Sequence, residues 1–223
     1  MGGERGKRIV LRGLVPGTGT LSTTDKTPAV GERVYLLSPA HAGGKRAAML
    51  FNSNAKFDLA QRLRTTGVAI GEMYSFMSPL YFRGKLTYAT KFANAPSGNP
   101  GSLVITPSRG LMRPESIVKL GDVSELQNER LVAENPRYRD ALERDLRTLS
   151  EAIGRSARVV LLGSIATRKY IPLLAETLGD RLVVPRKFIG LGNMSRGALL
   201  LQCSRDGCEL EYISASHALA EAI

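Results

Sequence analysis

The chain has 223 residues, enough for one large domain with its own core, and carries 31 Lys and Arg against 20 Asp and Glu, a formal charge of +11. Positive charge spread along the whole chain favours a polyanionic partner, with nucleic acid the leading candidate. No run of about 18 apolar residues occurs, which excludes a membrane-spanning helix, and two histidines exclude a histidine-rich metal centre.

Residues 1–30 are rich in Gly, Thr and Pro and read as an irregular basic arm, with a short strand possible at Arg8–Leu14; residues 31–223 read as a single domain. The arm lacks an apolar signal core, so a cytoplasmic location is expected. Order begins at Arg33–Leu37 (RVYLL). Similar runs recur at Leu103–Ile105, Arg158–Leu162 and Arg181–Val184. Each is apolar on successive residues, the pattern of strands buried on both faces of a parallel sheet.

Helical stretches fall between these runs. One covers Ala55–Arg64, and a second starts at the Ser78-Pro79 cap signal and runs to about Ala93. On the second, Tyr81, Gly84, Tyr88 and Phe92 share a face, while Arg83, Thr87 and Lys91 form a separate row. Asn94–Gly101 is a loop. Asn135-Pro136 opens a further helix that Gly154 follows, with Asp140–Arg144 and Glu143–Arg147 as i,i+4 pairs. Thr167–Leu178 is helical by pattern, with a kink or late start at Pro172. Ala198–Cys203 and Cys208–Ile213, joined through Asp206-Gly207, read as a closing β-hairpin. Cys203 and Cys208 are then reduced thiols across that turn, with a cross-strand disulfide as the alternative. The expected fold is α/β: a three-layer arrangement of a mostly parallel central sheet, helices on both faces, and a C-terminal β-hairpin.

In such sheets ligands bind beyond the carboxyl ends of the strands. The segments after the strands are here small, polar and cationic: Ser38 through Arg46, Thr106 through Gly110, Gly163 through Thr167, and Pro185 through Gly197. Small residues let backbone amides approach a ligand, and cations suit phosphate. Two phosphate motifs fail on spelling. Gly43-Gly44-Lys45 is no Walker loop, and Gly190-x-Gly192 has Ser195 where a dinucleotide fingerprint needs glycine and leads into the expected hairpin. Glu72, ahead of a helix bearing Ser78, Tyr81, Arg83 and Lys85, is a carboxylate suited to activating water or stabilising a developing cation, with a surface pair to a nearby Arg as the alternative. Tyr74 and Tyr81 offer base-stacking faces, although Tyr81 and Tyr88 read as core by spacing.

The order of these pieces resembles an uncharacterised family of small bacterial and phage α/β proteins. The pieces are the GGKR loop, E-x-Y-S-x-x-S-x-L-Y-F-R-x-K, V-I-T-P-S-R-G-L, V-V-L-L-G-S and G-L-G-x-M-S-R-G, covering about Arg33 to Leu201. The architecture is also similar to the peroxide-stress DNA-binding family and, more distantly, to the uracil-DNA glycosylase superfamily. That superfamily uses a carboxylate or amide after the first strand and a late histidine loop. Here the first loop has Ser38, His41 and Lys45 and the late loop Asn193 and Arg196, which leaves Glu72 as the replacement acid.

The resemblance implies a cofactor-free, monomeric DNA N-glycosylase that excises a modified or damaged base in repair or anti-phage defence. Glu72, His41 and Asn193 would be catalytic. Ser38, Lys45, Arg46, Tyr74, Ser78, Arg83, Lys85, Ser108, Arg109, Ser164, Lys187 and Arg196 would bind substrate. A Schiff-base role for Lys45 or Lys85 would add strand nicking. The alternatives are a non-catalytic DNA-binding module and a hydrolase or transferase of free nucleosides or nucleotides.

Overall fold

The structure is a computed structural model that describes residues 31–123, 135–165 and 169–221. The expected arm and the strand at 8–14 lie outside the described residues. Six strands form the main sheet in the order β4-β3-β1-β6-β7-β8. They are β1 (Arg33–Leu37), β3 (Ser102–Ile105), β4 (Leu111–Met112), β6 (Arg158–Leu162), β7 (Leu182–Pro185) and β8 (Tyr212–Ser214). The central four, β3-β1-β6-β7, are parallel; β4 and β8 close the two edges antiparallel. β2 (Val68–Ala69) and β5 (Ile117–Val118) pair antiparallel in a separate small sheet.

The apolar runs form these strands because both sheet faces are covered. Val34, Tyr35, Leu36 and Leu37 on β1 and Val159, Val160, Leu161 and Leu162 on β6 are all fully buried. Eight helices have both ends described, besides two short 3-10 turns, among them α1 (Lys45–Phe51), α2 (Asp58–Arg64), α3 (Ile70–Met77) and α4 (Tyr81–Phe92). The rest are α5 (Pro136–Ala152), α6 (Ile171–Leu178), α7 (Asn193–Asp206) and α8 (Ala215–Glu221). α4 packs on α7 against one sheet face and α5 on α6 against the other.

Asn135 caps α5 as expected: its Oδ1 accepts the Arg137 N–H at 3.2 Å, Pro136 fills the first helical position, and Gly154 follows with φ +70°. On its wet face Glu143 pairs with both Arg139 and Arg147, whereas Arg144 bonds its neighbour Asp145.

Three expectations are corrected. Glu72, expected ahead of a helix, lies within one, α3, which is followed by α4, so this stretch is two helices in series. The GGKR loop runs straight into α1. The closing hairpin at Ala198–Ile213 is instead the long helix α7 followed by β8. An antiparallel C-terminal pair does exist, but it is β7 with β8. Asp206-Gly207 is therefore a helix end. Gly207 is left-handed at φ 72°, and the Cys208 N–H bonds the Cys203 carbonyl at 3.1 Å, closing a Schellman turn.

Candidate functional site

From β1 the chain travels to β3 on one side, and from β6 it travels to β7 on the other. The adjacent strands β1 and β6 thus form the switch point where open α/β sheets hold their ligands. Ser38 sits there. Its N–H and its hydroxyl both donate to the Leu162 carbonyl, at 3.2 and 3.3 Å. Gly163, the next residue on the β6 side, is closely packed, since an added Cβ would lie 3.3 Å from Ser38 Cβ and 3.2 Å from the Leu161 side chain.

Lys85, in the second turn of α4, reaches this point. Its Nζ donates to the Ser38 carbonyl at 2.5 Å and to Ser38 Oγ at 2.8 Å, and lies 4.4 Å from the Tyr81 ring centroid and 5.1 Å from that of Phe82. The side chain is 0% exposed. Burial, with a smaller contribution from the nearby Arg196 guanidinium, lowers its pKa to about 7.

Arg196 is also buried. It donates from Nε and Nη2 to the Phe188 carbonyl, at 3.1 and 2.8 Å, with its guanidinium 5.2 Å from the Phe188 ring centroid. The Tyr81 hydroxyl is buried facing the Arg196 guanidinium, a donor, and meets no acceptor for its own proton. Burial raises its pKa, against the opposing pull of Arg196. No carboxylate among the described residues pairs with either buried cation.

Two glycines make this cluster. A Cβ on Gly84 would sit 2.8 Å from the Gly197 carbonyl oxygen, and one on Gly197 would sit 2.8 Å from the backbone of Leu80 and Tyr81. α4 and α7 therefore cross backbone to backbone, and the residue after one glycine, Lys85, and the residue before the other, Arg196, are drawn together beneath the crossing. Both helices begin at the carboxyl edge of the sheet, so the cations lie at that edge.

The structure thus brings Ser38, Lys85 and Arg196 together. It disperses most of the other residues expected at the site. Glu72 does not join the cluster. Its carboxylate is gripped by both terminal nitrogens of Arg62, at 2.5 and 3.1 Å, on the exposed surface, and Arg62 also binds Asp58. Two residues further along α3, Tyr74 points the opposite way into the core against Phe82, its ring centroid 5.2 Å from that ring. Tyr74 is thus packing, not a stacking face. Ser78 Oγ accepts the Phe82 N–H at 3.2 Å and helps start α4.

His41 is exposed, and its ring lies over Gly43, where a Cβ would come within 2.8 Å of Nε2. Asn193 is exposed at the first turn of α7. Arg109 pairs with Asp122 at 2.7 Å, and the turn it occupies is tied by Thr106 and by the Asp145 carboxylate, which accepts the Leu111 N–H. Ser108 Oγ in that turn is buried and unpartnered, and Ser164 is half-buried after β6. Lys45, Arg46, Arg83 and Lys187 are exposed and join no ion pair among the described residues, although Arg46 rests over the Phe76 ring. Arg186 is held by Glu211 and Glu221.

One polar cluster has no sequence signal. Tyr35 and Tyr212 both donate to Glu209 Oε1, at 2.9 and 2.8 Å, Tyr88 bonds Tyr212 at 2.8 Å, and Arg33 closes the set with a 2.5 Å pair to Glu209 Oε2. It joins β1, α4 and the segment before β8, and reads as an internal brace.

No family model, no curated protein and no solved structure matches the chain. Among the described residues no helix is long and apolar enough to cross a membrane, and no group of three metal-ligating side chains is found.

Proposed function

We propose that the protein acts on DNA as a base-excising N-glycosylase whose target nucleotide opens a crevice between the carboxyl ends of β1 and β6. The observation that carries this reading is Lys85: a lysine fully buried at the switch point, paired with no carboxylate among the described residues, in a chain of formal charge +11. A solvating surface does not need a buried, unpaired amine, and a buried cation with no acid nearby suits an electron-rich substrate. The exposed Lys45, Arg46, Arg83 and Lys187 supply phosphate contacts. The target nucleotide leaves the stack and enters the crevice, where Ser38 and Gly163 let its sugar approach the strand ends.

The test is incubation with plain, uracil-containing and heavily modified phage DNA, followed by mass spectrometry for free bases and alkali cleavage at abasic sites. Release of a base from any of these supports the reading and names the substrate. Salt-sensitive binding without release leaves a DNA-binding module instead.

A further inference from the structure

We infer that Lys85 is a covalent nucleophile, so that the protein forms an imine with the sugar of its substrate and cuts the strand after the base departs. The inference rests on the glycosylase reading for its substrate and on three observations independent of that reading. Nζ is placed by two hydrogen bonds to one residue, Ser38, at the ligand-binding edge of the sheet. Among the described residues no carboxylate holds it as an ammonium, and the facing charge is the Arg196 guanidinium, which disfavours protonation; the other described groups around it are Ser38 and the rings of Tyr81 and Phe82. The Tyr81 hydroxyl, about nine-tenths buried beside the same pair, has the Arg196 guanidinium facing its oxygen but meets no acceptor for its own proton, as a donor kept for a ligand would. With its pKa near 7, half of the amine is unprotonated at neutral pH, the condition an attacking lysine requires.

On a normal nucleotide the Nζ lone pair adds to C1′, and the C1′–N bond breaks with its electron pair going to the base, which takes up the proton that Nζ loses. The aminal opens as its second N–H proton passes to the ring oxygen, giving the imine. Loss of the C2′ proton to water and departure of the 3′ phosphate oxygen break the C3′–O bond, and water then hydrolyses the imine and frees Lys85. No oxidant, reductant or metal enters. On a preformed abasic site the same amine adds to the free aldehyde with loss of water. The substrate reaches Nζ by taking the place of the Ser38 contacts, which leaves Ser38 Oγ as an acceptor for a sugar hydroxyl and the Tyr81 hydroxyl as a donor to the sugar or the leaving base.

The full chain is incubated at pH 7 with a short duplex carrying one abasic deoxyribose and, separately, with the base-containing duplexes, each with sodium cyanoborohydride. Crosslinked protein is digested and the modified residue located by mass spectrometry. The expected result is a single DNA adduct on Lys85, lost in Lys85→Met once circular dichroism shows that variant folded. Base release with no adduct, or with an adduct on another lysine, overturns the inference and leaves the glycosylase standing. An adduct on Lys85 from abasic DNA with no base release from any duplex supports the nucleophile and sinks the glycosylase. Because the site is located in the wild-type chain, failure of Lys85→Met to fold does not rescue the inference from a negative trap.

Discussion

Replacing Lys85 with Met removes the buried amine with little change in volume and exposes the cost of burying it. A lysine pKa falling from 10.5 in the unfolded chain to about 7 in the fold means that the unfolded chain holds a proton the folded one resists. Stability therefore rises with pH between about 7 and 10.5 and changes little through this group outside that window. Between pH 7 and pH 9 the unfolded chain keeps nearly its whole proton while the folded chain loses the half it still carries. Integrated at 1.36 kcal/mol per unit of pH per proton, wild-type stability gains about 2 kcal/mol over that interval from Lys85 alone. Other groups titrate in both proteins, so the quantity to measure is the difference between wild type and Lys85→Met at each pH. The chain has no tryptophan, and urea unfolding followed by far-UV circular dichroism is the suitable assay. The gap should move by about 2 kcal/mol in favour of wild type on going from pH 7 to pH 9. A gap that stays constant within a few tenths of a kcal/mol would mean Lys85 is protonated throughout, and would refute a neutral amine at this position.

Gly197→Ala should cost about 2 kcal/mol or more in urea titrations, because its methyl group meets the backbone of Leu80 and Tyr81; Gly44→Ala, with nothing within 4 Å, should be near neutral. Equal effects would count against the close helix crossing. Glu209→Gln should destabilise the fold by about 1–3 kcal/mol through loss of the Arg33 pair and the shared acceptor for Tyr35 and Tyr212, read by the same titration; no change would mean the brace is idle. Mild oxidation should join Cys203 to Cys208 within one chain, since the Schellman bond brings together the two positions that flank it; peptide mapping that finds only intermolecular disulfides would refute this. Glu72→Gln should leave DNA processing within about twofold of wild type, since its partner is Arg62 on the surface; a collapse in base release would return Glu72 to the chemistry.

The parallel strands were legible because burial on both faces leaves a continuous apolar run, as in RVYLL and RVVLL, and no alternative element of five residues fits between the turn signals. α5 was legible because Asn135-Pro136 is a start signal with one local meaning. The C-terminal third was misread because Asp-Gly carries two. A left-handed glycine ends a helix as readily as it turns a hairpin, and the apolar ALLLQC run before it suits either element. The site was half legible. Strand-end loops pointed to Ser38, and Lys85 and Arg196 were among the candidate ligands. Glu72 drew attention by its neighbours in sequence, but on a helix a residue two positions from a buried tyrosine faces the other way.

The same two glycines explain why the sequence could name Lys85 and Arg196 without showing that they meet in a buried cluster, and why that cluster exists. A pair of helices separated by ordinary side chains would stand about 8–10 Å apart and leave room for water around any lysine between them. At Gly84 and Gly197 no side chain intervenes, and the flanking Lys85 and Arg196 are carried under the contact and out of solvent. Nothing local to either helix encodes this: α4 alone presents Lys85 as one more cation beside Arg83, which does stay exposed. Burying an amine beside a guanidinium, with no acid paired to either among the described residues, opposes folding; Ser38 and the Phe188 carbonyl offset part of the cost by accepting their hydrogen bonds. A structural role alone would be met more stably by a methionine at position 85. An amine there, with a tyrosine hydroxyl beside it that meets no acceptor, is the arrangement expected where stability is given up for reactivity.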